Sequence, residues 1–245
     1  MASGRAADDP RPLSETMNKA LSLISSLLIL AGAAGAAHAQ EVKAGDPVKG
    51  AAKAAMCIGC HNISGYQASF PEVYKVPKIS GQGGKYIVAA LSAYAKGERK
   101  HPSMRAIAET LSEQDMADLA AFYEQNGKSA GAAAPTAPAV LPDALKDRLA
   151  ACVACHGATF STPIDAAYPK LAGQHADYLY HSLKAYATDN NPRIGRANPT
   201  MRSQVVQEAA GARKPTFTNA ELKQIAKWLE SLPGELKTVE ASRVR

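Results

Sequence analysis

The sequence predicts an all-α protein made of one helical unit written twice, with an Ala/Pro-rich linker between the copies. Three observations carry that expectation. Five features recur in the same order at a spacing of about 95 residues, beginning with Cys57-Ile-Gly-Cys60-His61 and Cys152-Val-Ala-Cys155-His156. Apolar residues fall at helical spacing, and no run of alternating β-branched residues is long enough to suggest a sheet. Between the copies lies GKSAGAAAPTAPAVLP, residues 127–142, which has no helical period.

Taken in order, the chain opens on a segment that does not belong to the fold. Residues 1–16 are polar and rich in Ala, Asp, Arg and Pro, and Met17 is the more natural initiator. Met17-Asn18-Lys19 then leads into the apolar run Leu21–Leu30 and closes on Ala37-His38-Ala39. A basic start, a short apolar stretch and a small-residue end describe a secretory signal peptide over residues 1–39. The competing reading is a retained anchor, since Ala20–Ala37 is just long enough to span, but Ser and Gly interrupt it. Export places the mature chain in a periplasm-like compartment.

The first unit is expected over 40–128, the linker over 129–141 and the second unit over 142–245. Asp46-Pro47 pairs an N-cap with Pro at the first helical position, and Asp143 opens the counterpart. Pro77-Lys78-Ile79-Ser-Gly81-Gln82 recurs as Pro169-Lys170-Leu171-Ala-Gly173-Gln174. Ile87, Ala90, Leu91 and Tyr94 lie at i, i+3, i+4, i+7; so do Met116, Leu119, Ala120 and Tyr123, and Leu222, Ile225, Ala226 and Leu229. Tyr86, Leu91 and Tyr94 reappear as Tyr178, Leu183 and Tyr186. A lone Met follows Pro in each unit, in His101-Pro-Ser-Met104-Arg105 and Asn198-Pro-Thr-Met201-Arg202. Ser112…Asp115 and Thr218…Glu221 have the form of capping boxes. Units this small, with few large apolar residues, bury a limited share of their surface and need something else to fill the core.

That filler is legible. C-x-x-C-H is the attachment motif of a c-type haem: two thiols can each form a thioether, and the adjacent His ligates the iron. The His needs a hydrogen-bond acceptor to fix its tautomer, and a carbonyl near Pro77 or Pro169 is the candidate. Met104 and Met201 match across the units and supply the sixth ligand, which raises the potential relative to bis-His ligation. Two alternatives use the same cysteines. Four thiolates could hold one structural zinc, or each pair could be a redox dithiol, but a His follows each pair and the pairs stand in separate repeats. His101, His175 and His181 have no repeat partner and read as solvated surface residues. Tyr86, Tyr94, Tyr178, Tyr186, Phe122 and Trp228 read as ring packing around the macrocycle. Lys78, Lys170, Arg105 and Arg202 are solvated, or pair with haem propionates or an acidic partner. Lys96, Arg99, Lys100, His101 and Arg105 form one basic edge; Arg193, Arg196, Arg202, Arg213 and Lys214 form another. The formal charge of +6 is mild, and with export and no binding motif it excludes nucleic acid.

The paired motifs, from about Ala44 to Leu232, resemble the dihaem cytochrome c4 family, with two tandem class I cytochrome c domains. The resemblance implies two all-α domains, each wrapped around one covalent haem c and related by a pseudo-twofold. It implies thioethers at Cys57, Cys60, Cys152 and Cys155, and axial pairs His61/Met104 and His156/Met201. It also implies electron carriage in the periplasm, with peripheral membrane association, from a quinol–cytochrome c oxidoreductase to a haem-copper terminal oxidase or other reductase and with no catalysis of its own. The runner-up is the electron-transfer subunit of a periplasmic dehydrogenase complex. The chain departs from the usual pattern at Asn62, where Gly157 stands in the second unit, in the longer Asn62–Val76 segment, and in the insertion Gln204–Pro215.

Overall fold

The computed structural model describes residues 44–129, 135–136, 139–209 and 211–240. The expected signal peptide and the middle of the linker lie outside the described residues. The first half runs α1 (Pro47–Lys53), α2 (Ala55–His61), β1 (Gln67–Ala68), β2 (Tyr74–Lys75), α3 (Gly84–Ala95), β3 (Arg99–Lys100), α4 (Pro102–Ala108) and α5 (Glu113–Ser129). The second runs through a 3₁₀ turn (Asp143–Leu145), α6 (Lys146–His156), α7 (Ala176–Ala187), β4 (Gly195–Arg196), α8 (Pro199–Val205), β5 (Val206–Ala209), β6 (Ala212–Pro215) and α9 (Asn219–Ser231).

The caps expected at Asp46, Ser112 and Thr218 stand where the sequence places them, whereas Asp143 heads a 3₁₀ turn and α6 starts at Lys146 with no side-chain cap. The Asp46 carboxylate accepts from the backbone N–H groups of Val48 and Lys49, with Pro47 at the head of the helix. Thr218 and Glu221 close a reciprocal capping box, and Ser112 and Asp115 do the same. In the first half α1 and α3 pack on α5, and in the second α7 packs on α9. Gly50 permits the first crossing: a Cβ there would lie 2.0 Å from the Asp118 carbonyl oxygen. The periodic residues form two cores. One gathers Ala54, Ile87, Leu119, Ala120 and Tyr123; the other centres on Leu149, Phe160, Leu179, Ile225 and Leu229. Phe122 and Trp228, expected at the macrocycle, serve these cores instead. Phe122 packs edge-on against Tyr123, and Trp228 meets Phe160 edge-on and donates to the Val140 carbonyl.

The strands are short two-stranded pairs, consistent with the absence of any sheet signal, and one of them joins the halves. β3 pairs antiparallel with β4, Arg99 opposite Arg196. The insertion after Met201 is the hairpin β5–β6. The long segment after His61 reaches across to α7. There Lys75 N–H donates to Asp177 at 2.9 Å, and Glu72 meets His181 at 2.5 Å. The tail beyond α9 returns to the first half, where Lys237 N–H donates to the Ser80 carbonyl and Asn62 Nδ2 to the Val239 carbonyl. That contact, with the 3.4 Å bond from the Tyr123 hydroxyl, gives Asn62 a use that Gly could not supply. Gly157, its counterpart, has φ +78 and no room for a Cβ, which would lie 1.9 Å from the Thr162 carbonyl oxygen.

Candidate haem sites

Each C-x-x-C-H segment ends a helix, so the histidine emerges at the helix C-terminus, half-buried at His61 and buried at His156. His61 Nδ1 lies 2.9 Å from the Pro77 carbonyl oxygen, and His156 Nδ1 lies 2.9 Å from that of Pro169. A carbonyl can only accept, so Nδ1 carries the hydrogen and Nε2 keeps its lone pair. Burial pushes both imidazoles below their ordinary pKa, against the opposing pull of that hydrogen bond, which keeps them neutral at pH 7. The carbonyls near Pro77 and Pro169 are the acceptors the repeat led one to expect.

The two methionines are held by a shared device. Met104 and Met201 each occupy the third position of a short helix opened by Pro. The Met104 N–H donates to His101 Nδ1 at 3.3 Å, and the Met201 N–H donates to Asn198 Oδ1 at 2.9 Å. His101 is therefore an N-cap equivalent to Asn198, and not the solvated residue expected. Burial, then the charges of His181 and Arg99, push it down to about 4, so it stays neutral and can accept. His175 and His181 also differ from expectation. His175 lies 3.6 Å from Glu230 with its side chain mostly covered, and His181 is buried, stacked on Tyr74 at 4.4 Å. Their partners come from elements distant in sequence, which is why a search for repeat equivalents missed them.

A cavity of about 370 Å³ runs between the halves. Cys57, Cys60, His61 and Met104 line it from one side, and His156 and Met201 from the other. Cys152 packs against the second core instead, as Cys57 also does against the first. Cys57 and Cys152 thus pack against separate cores, which disfavours a single four-thiolate zinc site. Burial raises the thiols of Cys57 and Cys152, the opposite of what an active redox dithiol requires. An imidazole with a free Nε2, a thioether and thiols around a cavity suit a haem held by thioether and axial bonds.

Between the two sites sit Tyr86, Tyr94, Tyr178 and Tyr186, lining the cavity as the sequence predicted, together with Arg99 and Arg196. These arginines correct the expected basic edges. Arg99 is 9% exposed and bonded to tyrosines, not presented to a partner. Arg202 and Arg213 are taken up by Asp189 and Glu208. Lys78 and Lys170 are likewise taken up within the protein, Lys78 Nζ by the Gly173 carbonyl across the interface and Lys170 Nζ by Glu235 of its own half.

The repeated Pro-Lys-x-x-Gly-Gln segment does more than hold a histidine, and sequence reasoning missed this. Gln174 accepts from Lys78 N–H at 3.0 Å and donates to the Lys78 carbonyl at 2.8 Å. Gln82 repeats the pair on Lys170, at 2.8 and 3.1 Å. Gly81 and Gly173, both at positive φ, donate to the carbonyls of Tyr123 and Leu229 on the last helix of their own half. The recurrence of Gln82 and Gln174 was the signal that could have found the clamp.

The family model for cytochrome c matches this chain twice, at residues 47–126 and 147–233. Cytochrome c4 of Pseudomonas aeruginosa is 30% identical over 221 residues, 88% of this chain and 100% of that protein. A thiosulfate dehydrogenase electron acceptor of Stutzerimonas stutzeri is 32% identical over 200 residues, 74% of this chain and 91% of its own. The crystal structure of reduced recombinant cytochrome c4 from Pseudomonas stutzeri shares the fold, with TM-score 0.53 and 24% identity over 77% of this chain and 100% of that one. The chain carries two covalent haem c groups, which the pairs Cys57/Cys60 and Cys152/Cys155 fit, and it belongs to the dihaem cytochrome c4 family.

Proposed function

We propose that this chain carries electrons in the periplasm from a quinol–cytochrome c oxidoreductase to a haem-copper terminal oxidase, and transforms no substrate itself. The axial pairs are His61/Met104 and His156/Met201, with thioethers at Cys57, Cys60, Cys152 and Cys155. The supporting observation is the duplicated holding device: in each half a Pro carbonyl fixes the His tautomer, and a capped helix fixes the Met. A bound haem supplies reversible one-electron chemistry. The chain's part is to hold both axial positions, which leaves no open coordination site for peroxide or O₂. Among the described residues no helix is long and apolar enough to cross a membrane.

Met104→Ala and Met201→Ala test the assignment. Each should abolish the long-wavelength sulfur-to-iron(III) band of one haem and lower that haem's potential. Retention of the full band in both variants sinks the axial assignment. A second reading, service to a periplasmic dehydrogenase, is favoured by the similarity to a thiosulfate dehydrogenase electron acceptor. Copurification separates the two: a stoichiometric dehydrogenase partner decides for the second.

A further inference from the structure

Arg99 and Arg196 face one another in the β3–β4 register. Both line the cavity between the halves. Arg99 donates to Tyr86 Oη at 3.0 Å and to Tyr178 Oη at 2.5 Å, and its guanidinium lies over the Tyr94 ring at 4.6 Å. Arg196 donates to Ser182 Oγ at 2.6 Å, Tyr178 Oη at 3.3 Å and Tyr186 Oη at 3.4 Å. Tyr178 therefore takes a bond from each guanidinium. Among the described residues, neither arginine forms an ion pair with a carboxylate, although most other arginines here do. Arg99 Nε is buried and meets no acceptor at all.

Arg99 is buried and Arg196 half-buried, and with phenols and a hydroxyl as the partners the described residues give them, the two cations are poorly compensated unless a carboxylate joins them. Their effect on the surroundings is plain at Tyr178. Burial opposes its ionisation, yet the two guanidiniums prevail and bring the phenol down to about 7. A tetrapyrrole of the haem type carries carboxylate side chains and no other anionic group of its own. It is also the ligand that the cavity's His and Met residues serve.

We propose that Arg99 and Arg196, joined through the Tyr178 hydroxyl, form one anion seat that takes carboxylates from both haems and so ties the two potentials together. The seat rests on the two haems of the family assignment and not on the identity of any redox partner. A guanidinium near a haem favours the reduced iron, because reduction removes a positive charge. Since each guanidinium bonds the same hydroxyl, and the two are strand partners, loss of either charge is felt on both sides of the interface.

The test is a potentiometric titration of the haem-loaded protein, with haem content measured on every variant. Arg99→Gln should lower both one-electron steps, each by about tenfold in equilibrium constant, or 59 mV. Arg196→Gln should do the same, and it carries the test if Arg99→Gln fails to load haem. Arg99→Lys keeps the charge and should hold both steps within a factor of two. A merely structural role would lower the melting temperature of Arg99→Gln and leave both steps in place, and that result overturns the proposal. Movement of one step alone makes the seat private to one haem and also overturns it, as does a Lys variant shifted as far as Gln. A solvent anion in the seat would make the wild-type potentials respond to added phosphate at constant ionic strength; covalently tethered carboxylates predict no response. Retention of the full sulfur-to-iron(III) band in both methionine variants would count against the ligand assignment and leave this result standing.

Discussion

Gln174→Ala removes a cross-interface clamp whose cost can be worked from its geometry. The side chain is 3% exposed and makes two bonds to the Lys78 backbone, at 3.0 and 2.8 Å, and a third to His175 N–H at 3.0 Å. Truncation strands the Lys78 N–H and C=O, each worth about 1–3 kcal/mol when left unpaired and buried. Lys78 is only half-buried, so water partly replaces the lost partner, and the expected loss is about 2–4 kcal/mol. Equilibrium guanidinium denaturation of the haem-loaded protein measures it. The effect should also cross the interface. Lys78 follows Pro77, whose carbonyl fixes His61, so Gln174→Ala should disturb the potential of the haem in the first half. Gln82→Ala should mirror it through Lys170, Pro169 and His156. A loss under about 0.5 kcal/mol, the range of an ordinary surface change, refutes the clamp. A disturbance confined to the haem of the mutated half refutes the crossing.

Two further outcomes follow from local geometry. Gly50→Ala gains helix propensity of about 1 kcal/mol but drives a Cβ to within 2.0 Å of the Asp118 carbonyl oxygen, so the clash should prevail by about 1–3 kcal/mol; thermal unfolding at least as stable as wild type contradicts this. The Lys53 ammonium, then Ser112, hold the Asp115 carboxyl down to about 2 from its ordinary 3.8, so the pair stabilises the fold above pH 3.8 and is lost as pH falls toward 2. Lys53→Met should thus destabilise at pH 6 by a small amount that vanishes near pH 2 in acid-denaturation curves, and a difference unchanged at pH 2 would rule the pair out as its source. Solvent exposure keeps that increment modest.

What was legible in the sequence is what the chain writes within a few residues. The attachment motif, the capping boxes and the periodic core faces all act over one to four positions, and the structure places them as read. The carbonyl partners of His61 and His156 could be proposed only because both halves carry the same Pro-Lys segment. What escaped is non-local. Arg99 and Arg196 sit among charged neighbours in sequence and looked like surface, but strand pairing with the other half buries Arg99 and half-buries Arg196. His101 was obscured by chemistry: an imidazole and an amide cap their helices with the same geometry, and a comparison of residue types does not see it. Its position directly before Pro, like that of Asn198, was the available clue.

The six-residue Pro-Lys-x-x-Gly-Gln segment serves two masters in each half. Its Pro carbonyl and Gly N–H act at home, on the histidine and on the last helix, while its Lys backbone and Gln side chain act on the opposite copy. The same stretch of backbone therefore sets the imidazole and the distance between halves, and neither can be altered without the other. The clamps are also reciprocal, so a shift in one half presses back on the half that caused it through the second clamp. The β3–β4 pair and the returning tail act in the same direction, since each spends backbone polar groups of one half on those of the other. A tether of the Ala/Pro-rich kind would allow the halves to part, but parting would leave the Lys78 and Lys170 peptide groups, Gln82, Gln174 and two guanidiniums without their present partners. The unit that folds is therefore the pair, and each haem site is finished only by the copy it does not belong to.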